Sequence, residues 1–182
     1  MTLQFCPQCS TPLVIAPVHG RDRESCPACD YVAFHKPAPV VLAIIEHAER
    51  LVLIRRKLAP LAGYWAPPGG YVELGESLED AVVREAREET ALEVAVDGLL
   101  GVYSQAGVRA MILAYRAHST GGEPAPGDDA GELCLVAPGQ LPMQRPPTGG
   151  EPLDHWFFAV IRDVTTPWQW GRRPSTRTMT GR

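Results

Sequence analysis

Two groups of residues have the types and spacing that chemistry needs. The first is Glu85, Glu88 and Glu89, inside the run Arg84-Glu85-Ala86-Arg87-Glu88-Glu89. Ser77, followed by Asp80 three residues later, reads as the capping box of a helix starting at Leu78. At roughly 100° per residue, Leu78, Ala81, Val82 and Ala86 share one stripe. Glu85 and Glu89 fall on its continuation, with Glu88 at the edge. The face that begins by burying apolar side chains thus ends by presenting carboxylates. Carboxylates gathered on an inward stripe repel one another and call for a cation or protons. Hard oxygen donors on a rigid element suit Mg2+ or Mn2+. The plainer alternative is a solvated acidic helix with pairs such as Arg84 and Glu88.

The second group is Cys6-Pro7-Gln8-Cys9, answered by Cys26-Pro27-Ala28-Cys29. Two C-x-x-C pairs across a short loop read as a zinc site. Four thiolates with no open coordination position make a structural Zn2+. Disulfides are the alternative where the compartment is oxidising, and a redox C-x-x-C would not need a second copy. So small a segment cannot fold on its own apolar surface, so metal binding should drive its folding.

The elements that must position these groups can be read in order. Gly20 to Glu24 reads as a turn. His35-Lys36-Pro37-Ala38-Pro39 reads as a linker. Val40 to Ile45 is a β-branched, continuously apolar run and so a strand buried on both faces. Leu51 to Ile54 is the next strand, with Arg55, Arg56 and Lys57 after it as a solvated strand end or a phosphate contact. Glu93 to Val96, Leu99 to Tyr103, Ala110 to Ala117 and Leu133 to Val136 read as further strands. Ser119 to Asp129 is a long polar, Gly/Pro-rich loop of the kind that often carries function. Leu153 to Ile161 suits a helix packing its aromatics on the sheet, and its second half also suits a strand. From Thr165 the chain loses period and is expected to be a mobile tail.

Bulk properties narrow the choice. With 182 residues there is room for one medium domain and a small module, and the 45% apolar content is ordinary for a globular chain. A net charge of −4 makes nucleic-acid binding an unlikely default. No stretch approaches the roughly 20 apolar residues of a membrane span, and the start lacks a charged leader with an apolar core. The expectation is a cytoplasmic protein without a membrane partner.

The acidic run, taken with its surroundings, resembles the Nudix box, G-x5-E-x7-R-E-U-x-E-E-x-G-U. Gly70, Glu76, Arg84, Glu85, Ala86, Glu88, Glu89 and Leu92 match it in register. Gly63-Tyr64-Trp65-Ala66-Pro67-Pro68-Gly69-Gly70 is similar to its usual lead-in. One position departs: Ala91 stands where the family has Gly, at a left-handed helix end. The resemblance implies an α/β fold, a Nudix α/β/α sandwich with a mixed sheet over residues 37–164. A small zinc ribbon over residues 1–36 would precede it and residues 165–182 would follow as the tail. It implies Mg2+ (or Mn2+) on Glu85, Glu88 and Glu89. Arg84 would orient a box glutamate or meet phosphate, Glu76 would sit at the helix start as a further metal contact or behind the ligands as a catalytic support, and Gly70 would let substrate and metal approach. Arg55 would contact phosphate. An acidic residue after the long loop would serve as base, with Glu132 the nearest match and Asp128 and Asp129 competing.

The implied activity is hydrolysis of the pyrophosphate bond in a small nucleoside diphosphate derivative. A ribbon before such a domain is similar to two groups. One is the NADH pyrophosphatases, whose additional motif reads S-Q-P-W-P-F-P; here Ser104-Gln105 continues as Ala106-Gly107-Val108. The other is associated with ADP-ribose or FAD, which favours release of AMP and a second phosphate. A nucleoside triphosphate pyrophosphatase and a catalytically idle nucleotide-sensing or protein-binding module are the remaining alternatives. The ribbon would contact a partner or complete a homodimer, and the residues do not choose.

Overall fold

The structure is a computed structural model and describes residues 4–127 and 130–169. The chain divides into two compact units between Lys36 and Pro37. In the first unit, β1 (Val14–Val18) and β2 (Arg21–Ser25) form an antiparallel hairpin. Its turn is His19-Gly20, both at positive φ (51° and 76°), as a two-residue hairpin turn demands. The turn therefore falls before Arg21, and the segment read as a turn, Gly20 to Glu24, is mostly strand. Glu24 is buried on that strand and bonds His35 at 2.8 Å. The imidazole beside it holds the Glu24 carboxyl below the usual range.

The second unit is built on a six-stranded mixed sheet. Its strands are β3 (Ala38–His47), β4 (Arg50–Arg56), β5 (Trp65–Ala66), β6 (Glu93–Tyr103), β7 (Ala110–Gly121) and β8 (Ala130–Val136). The order is β5-β4-β3-β7-β6, with β8 on β4. Only β3 and β7 run parallel; the other pairs are antiparallel. Strand β3 lies inside the sheet, and Val41 to Ile45 are each at most 3% exposed. That continuous burial is why the run shows no polar alternation.

Each face of the sheet carries one helix. Helix α1 (Leu78–Thr90) packs Ala81, Val82 and Ala86 against Val41, Ala43, Ile45, Val52 and Leu113. Helix α2 (Pro152–Gln169) packs Phe157, Phe158, Val160, Ile161 and Val164 against Leu42, Ile44, Leu51, Leu53 and Ile112. Alternate residues of β3 and β7 thus feed two separate cores, which makes the α/β/α sandwich.

Several boundaries differ from the sequence reading, for tertiary reasons. β3 starts at Ala38, inside the segment read as linker, because Ala38 pairs with Ala110 of β7. The two strands read from Glu93 to Tyr103 are one, β6, with register shifts between Glu93 and Val94, Val96 and Gly98, and Leu99 and Gly101. β7 runs on to Gly121, opposite Glu93, so the polar loop is shorter than its composition suggests. Leu153 to Ile161 is helix. Helix α2 continues to Gln169, burying Thr165 and Trp168, whose indole N–H donates to Val136 O at 3.1 Å. The tail read from Thr165 is therefore helical through Gln169; residues 170–182 lie outside the described residues. Among the described residues, no helix is long and apolar enough to cross a membrane.

Candidate active site and cysteine cluster

Helix α1 starts as its sequence dictates. The Asp80 amide donates to Ser77 Oγ at 3.1 Å, and the Ser77 amide donates back to Asp80 Oδ2 at 3.3 Å. Its far end carries Glu85 and Glu89, both at least nine-tenths buried, and the exposed Glu88. Ala91 takes the left-handed conformation itself, φ 57° and ψ 13°, and its amide donates to Arg87 O at 3.0 Å. The helix exit expected of a glycine is thus made by an alanine, at a cost on the order of 1 kcal/mol.

The lead-in loop is strapped along β3. Gly70 O accepts from the Val41 amide at 2.9 Å and Pro68 O from the Ala43 amide at 2.8 Å. A Cβ on Gly69 would overlap the Val41 carbonyl oxygen, so only glycine allows this approach. The freed Gly69 amide donates to Glu89 Oε2 at 2.7 Å. A Cβ on Gly70 would stand 2.7 Å from the Glu85 carboxyl carbon. Gly70 is therefore the gap into which the Glu85 carboxylate fits.

Arg84 joins the acidic residues. Its guanidinium reaches Glu76 at 2.8 Å, Glu85 at 2.7 Å and Glu88 at 3.1 Å, and donates to Tyr71 O at 3.0 Å. Arg84 and the Glu73 amide together hold the Glu76 carboxyl at about 2. Glu85 behaves oppositely: burial pushes it upward, and Arg84 only partly offsets that. A buried carboxylate left short of positive charge is a suitable place for a hard cation.

Glu85, Glu88 and Glu89 line one cavity of about 350 Å3, with Gly69, Gly70 and Tyr71 beside them. Arg56 and Lys57 lie on its wall, as do Leu58, Leu153, Trp156 and Phe157. The Arg56 guanidinium stacks on the Phe157 ring, 5.2 Å from its centroid, and Nε donates to Pro60 O at 2.8 Å. Two expected residues are not brought here. Arg55 and Glu132 face each other across β4 and β8 and pair at 2.7 Å, and neither lines the cavity. Neighbours on a strand face opposite sides of the sheet, so Arg56 joins Ile54 on the cavity side while Arg55 faces away. Asp128 and Asp129 lie outside the described residues. The sequence reading did not single out Trp156, Leu153 and Leu58 as cavity residues; nothing local marks them, since α2 and the β4–β5 loop meet only in the fold. Trp65, in the lead-in run, does not line this cavity; the Gln144 side-chain amide pairs with its backbone at 2.7 and 2.9 Å.

In the first unit, the Sγ atoms of Cys6, Cys9, Cys26 and Cys29 lie within 4.8 Å of one another. The closest pairs are 3.6 Å (Cys6 and Cys29), 3.5 Å (Cys9 and Cys26) and 3.8 Å (Cys9 and Cys29). Four sulfurs about 2.3 Å from a central ion form a tetrahedron with edges of about 3.8 Å, so the donor set fits. The Gln8 amide points at Cys6 Sγ, 3.4 Å away. The Thr11 hydroxyl, 3.4 Å from Cys9 Sγ, is the main influence lowering that thiol to about 6. Cys29 goes the other way: the Tyr31 backbone lowers it, but the neighbouring Cys26 thiol and burial push it up to about 12, as crowded sulfurs do.

An α/β/α sandwich that presents helix-borne carboxylates and a glycine strap to one cavity defines a class of hydrolase, and comparison with known proteins agrees. The model of the NUDIX domain matches residues 35–159, so the chain belongs to the Nudix family of pyrophosphohydrolases. An ADP-ribose pyrophosphatase of Methanocaldococcus jannaschii is 43% identical over 116 residues, 62% of this chain and 69% of that protein. A NAD-capped RNA hydrolase NudC of Pseudomonas aeruginosa is 32% identical over 146 residues, 78% of this chain and 51% of that relative. The chain thus spans about half the length of that NudC relative. A solved NUDIX hydrolase from Nitrosomonas europaea superposes with a TM-score of 0.79 at 25% identity, covering 97% of each chain.

Proposed function

We propose that the chain hydrolyses the pyrophosphate bond of a nucleoside diphosphate derivative, ADP-ribose or FAD-like, releasing AMP and a second phosphate. One observation carries this: three box carboxylates share a cavity with Arg56 and Lys57. Glu85, Glu88 and Glu89 would hold Mg2+, or Mn2+ in its place. When bound, the ion supplies positive charge to phosphate oxygens and makes water a better nucleophile at neutral pH. The protein's own groups do the positioning. Arg84 fixes Glu76, Glu85 and Glu88, and the Gly69 amide fixes Glu89. Arg56 and Lys57 bring cationic charge to the wall where a phosphate chain would lie. Leu58, Leu153 and Trp156 offer an apolar wall to the nucleoside half. The four cysteines hold a structural Zn2+ in the same reading. The ADP-ribose assignment is supported by the ribbon-bearing subgroup the sequence resembles and by the Methanocaldococcus relative.

The NudC alignment, which reaches further along this chain, favours a second reading, an NAD-type dinucleotide. The continuation Ala106-Gly107-Val108 after Ser104-Gln105 counts against it. Phosphate release from ADP-ribose, FAD, NADH and nucleoside triphosphates, with and without Mg2+, separates the readings. Expected is Mg2+-dependent turnover, highest on ADP-ribose or FAD. Glu85→Gln and Glu89→Gln should each lower kcat by at least about 100-fold with the fold retained, more than an outer-shell change causes. Tight nucleotide binding with no turnover on any substrate would make the chain a sensor instead.

A further inference from the structure

The last four backbone carbonyls of helix α1, Arg87 to Thr90, have no partner within the helix, and the Ala91 cap takes only that of Arg87. The segment after β7 supplies what is missing. Ala125 donates its amide to Thr90 O at 3.0 Å, and Gly127 donates to Glu89 O at 3.1 Å. The approach is close. A Cβ on Gly127 would overlap the Glu88 carbonyl oxygen and stand 2.8 Å from its carbonyl carbon and 3.1 Å from Glu89 Cα. Gly127 is not in the left-handed region, so its backbone would accept alanine. The contact with α1 is what excludes a side chain. Gly122 does need positive φ, 87°, and lies against the backbone of Ala91 and Leu92. Residues 122–127 therefore wrap the helix end where Ala91 replaces the usual glycine.

We infer that Gly127 is a positioning residue for catalysis: through its contact with the backbone of Glu88 and Glu89 it sets where those two carboxylates stand in the cavity. The inference rests on the proposed role of Glu88 and Glu89 as metal ligands. Its physical basis is leverage. Both residues belong to the last turn of α1, which has no further helix beyond it to hold it, and a shift of that turn moves both carboxylates together. A misplacement of about 1 Å can cost a site roughly 10²-fold in rate.

The test is Mn2+ binding to the full chain, read by electron paramagnetic resonance, beside the Mg2+ dependence of turnover. Gly127→Ala should weaken Mn2+ binding by about fivefold or more and lower kcat about tenfold, effects of the size seen when a ligand's support is removed. Gly149→Ala, at a glycine with nothing within 4 Å, is the control and should change neither. A second measurement needs no variant. Coupling is reciprocal, so Mn2+ should slow hydrogen exchange at the Ala125 and Gly127 amides in the wild-type chain. Gly127→Ala binding Mn2+ like wild type, or exchange at both amides indifferent to Mn2+, overturns the inference while leaving the metal site intact. Wild type and Glu85→Gln that both fail to bind Mn2+ would overturn the metal-site reading itself, and the inference with it.

Discussion

The cysteine cluster and the carboxylate cluster gather like-charged donors to different degrees. Among the described residues, only the four cysteines put three or more donor atoms within 4.8 Å of one another. The carboxylates share a cavity without gathering that tightly: Arg84 Nη1 bridges Glu85 and Glu88, at 2.7 and 3.1 Å, while Glu89 takes the Gly69 amide. A closed thiolate set leaves no coordination position for a substrate, which suits a staple. A spread carboxylate set leaves room for both an ion and a phosphate chain, which suits turnover. The difference is also one of dependence. The cysteine unit has two short strands and little buried apolar surface, whereas the carboxylates sit on a helix packed into a large core.

That contrast is sharpest under metal removal. A strong Zn2+ chelator, or Cys9→Ser, should unfold residues 4–36 outright, seen as loss of their dispersed amide signals by NMR. Withdrawal of Mg2+ should leave the fold of 37–169 in place, because its two cores need no ion. A fold of 37–169 that collapses without Mg2+ would erase the distinction.

Arg84→Ala comes next in size. It leaves Glu85 buried without its partner and frees Glu76 and Glu88, and kcat should fall about 10- to 100-fold. The change should appear in kcat and in Mg2+ dependence more than in KM. A variant altered in KM alone would mean that Arg84 meets the substrate instead.

Acid sensitivity is a smaller effect with a definite sign. Arg84 holds the Glu76 carboxyl at about 2, against 4.5 for an unperturbed glutamate. The folded value is depressed, so this group's stabilisation is fully present above about pH 4.5 and is lost as pH falls toward 2. Urea midpoints of wild type and Glu76→Gln should differ most above pH 4.5 and converge below it. A gap that persists to low pH would assign the loss to packing rather than charge.

The smallest effect is at the helix exit. Ala91→Gly relieves a left-handed alanine and should stabilise residues 37–169 by about 0.5–1 kcal/mol, read as a rise in melting temperature. No gain would mean that the wrap of residues 122–127 already offsets the strain.

Helix α1, its capping box and its acidic stripe were legible from residue types alone, because capping and 3.6-residue periodicity are local. So were the buried run of β3 and the two C-x-x-C knuckles, whose ligand pairs are fixed by short spacing. Which basic residue reaches the cavity was not. Arg55 and Arg56 are neighbours of like charge on opposite faces of β4, and which face looks into the cavity is decided only when the sheet is packed between its helices. The same holds for Glu132, whose pairing with Arg55 exists only once β8 lies on β4. Trp156 and Leu58 met in one cavity for a similar reason: α2 and the β4–β5 loop have no contact until the sheet brings them together. Local pattern determined which residues carry charge and which element bears them; non-local pairing decided which of those charges face the same space, since a single-residue change of register turns a side chain to the other side of a sheet.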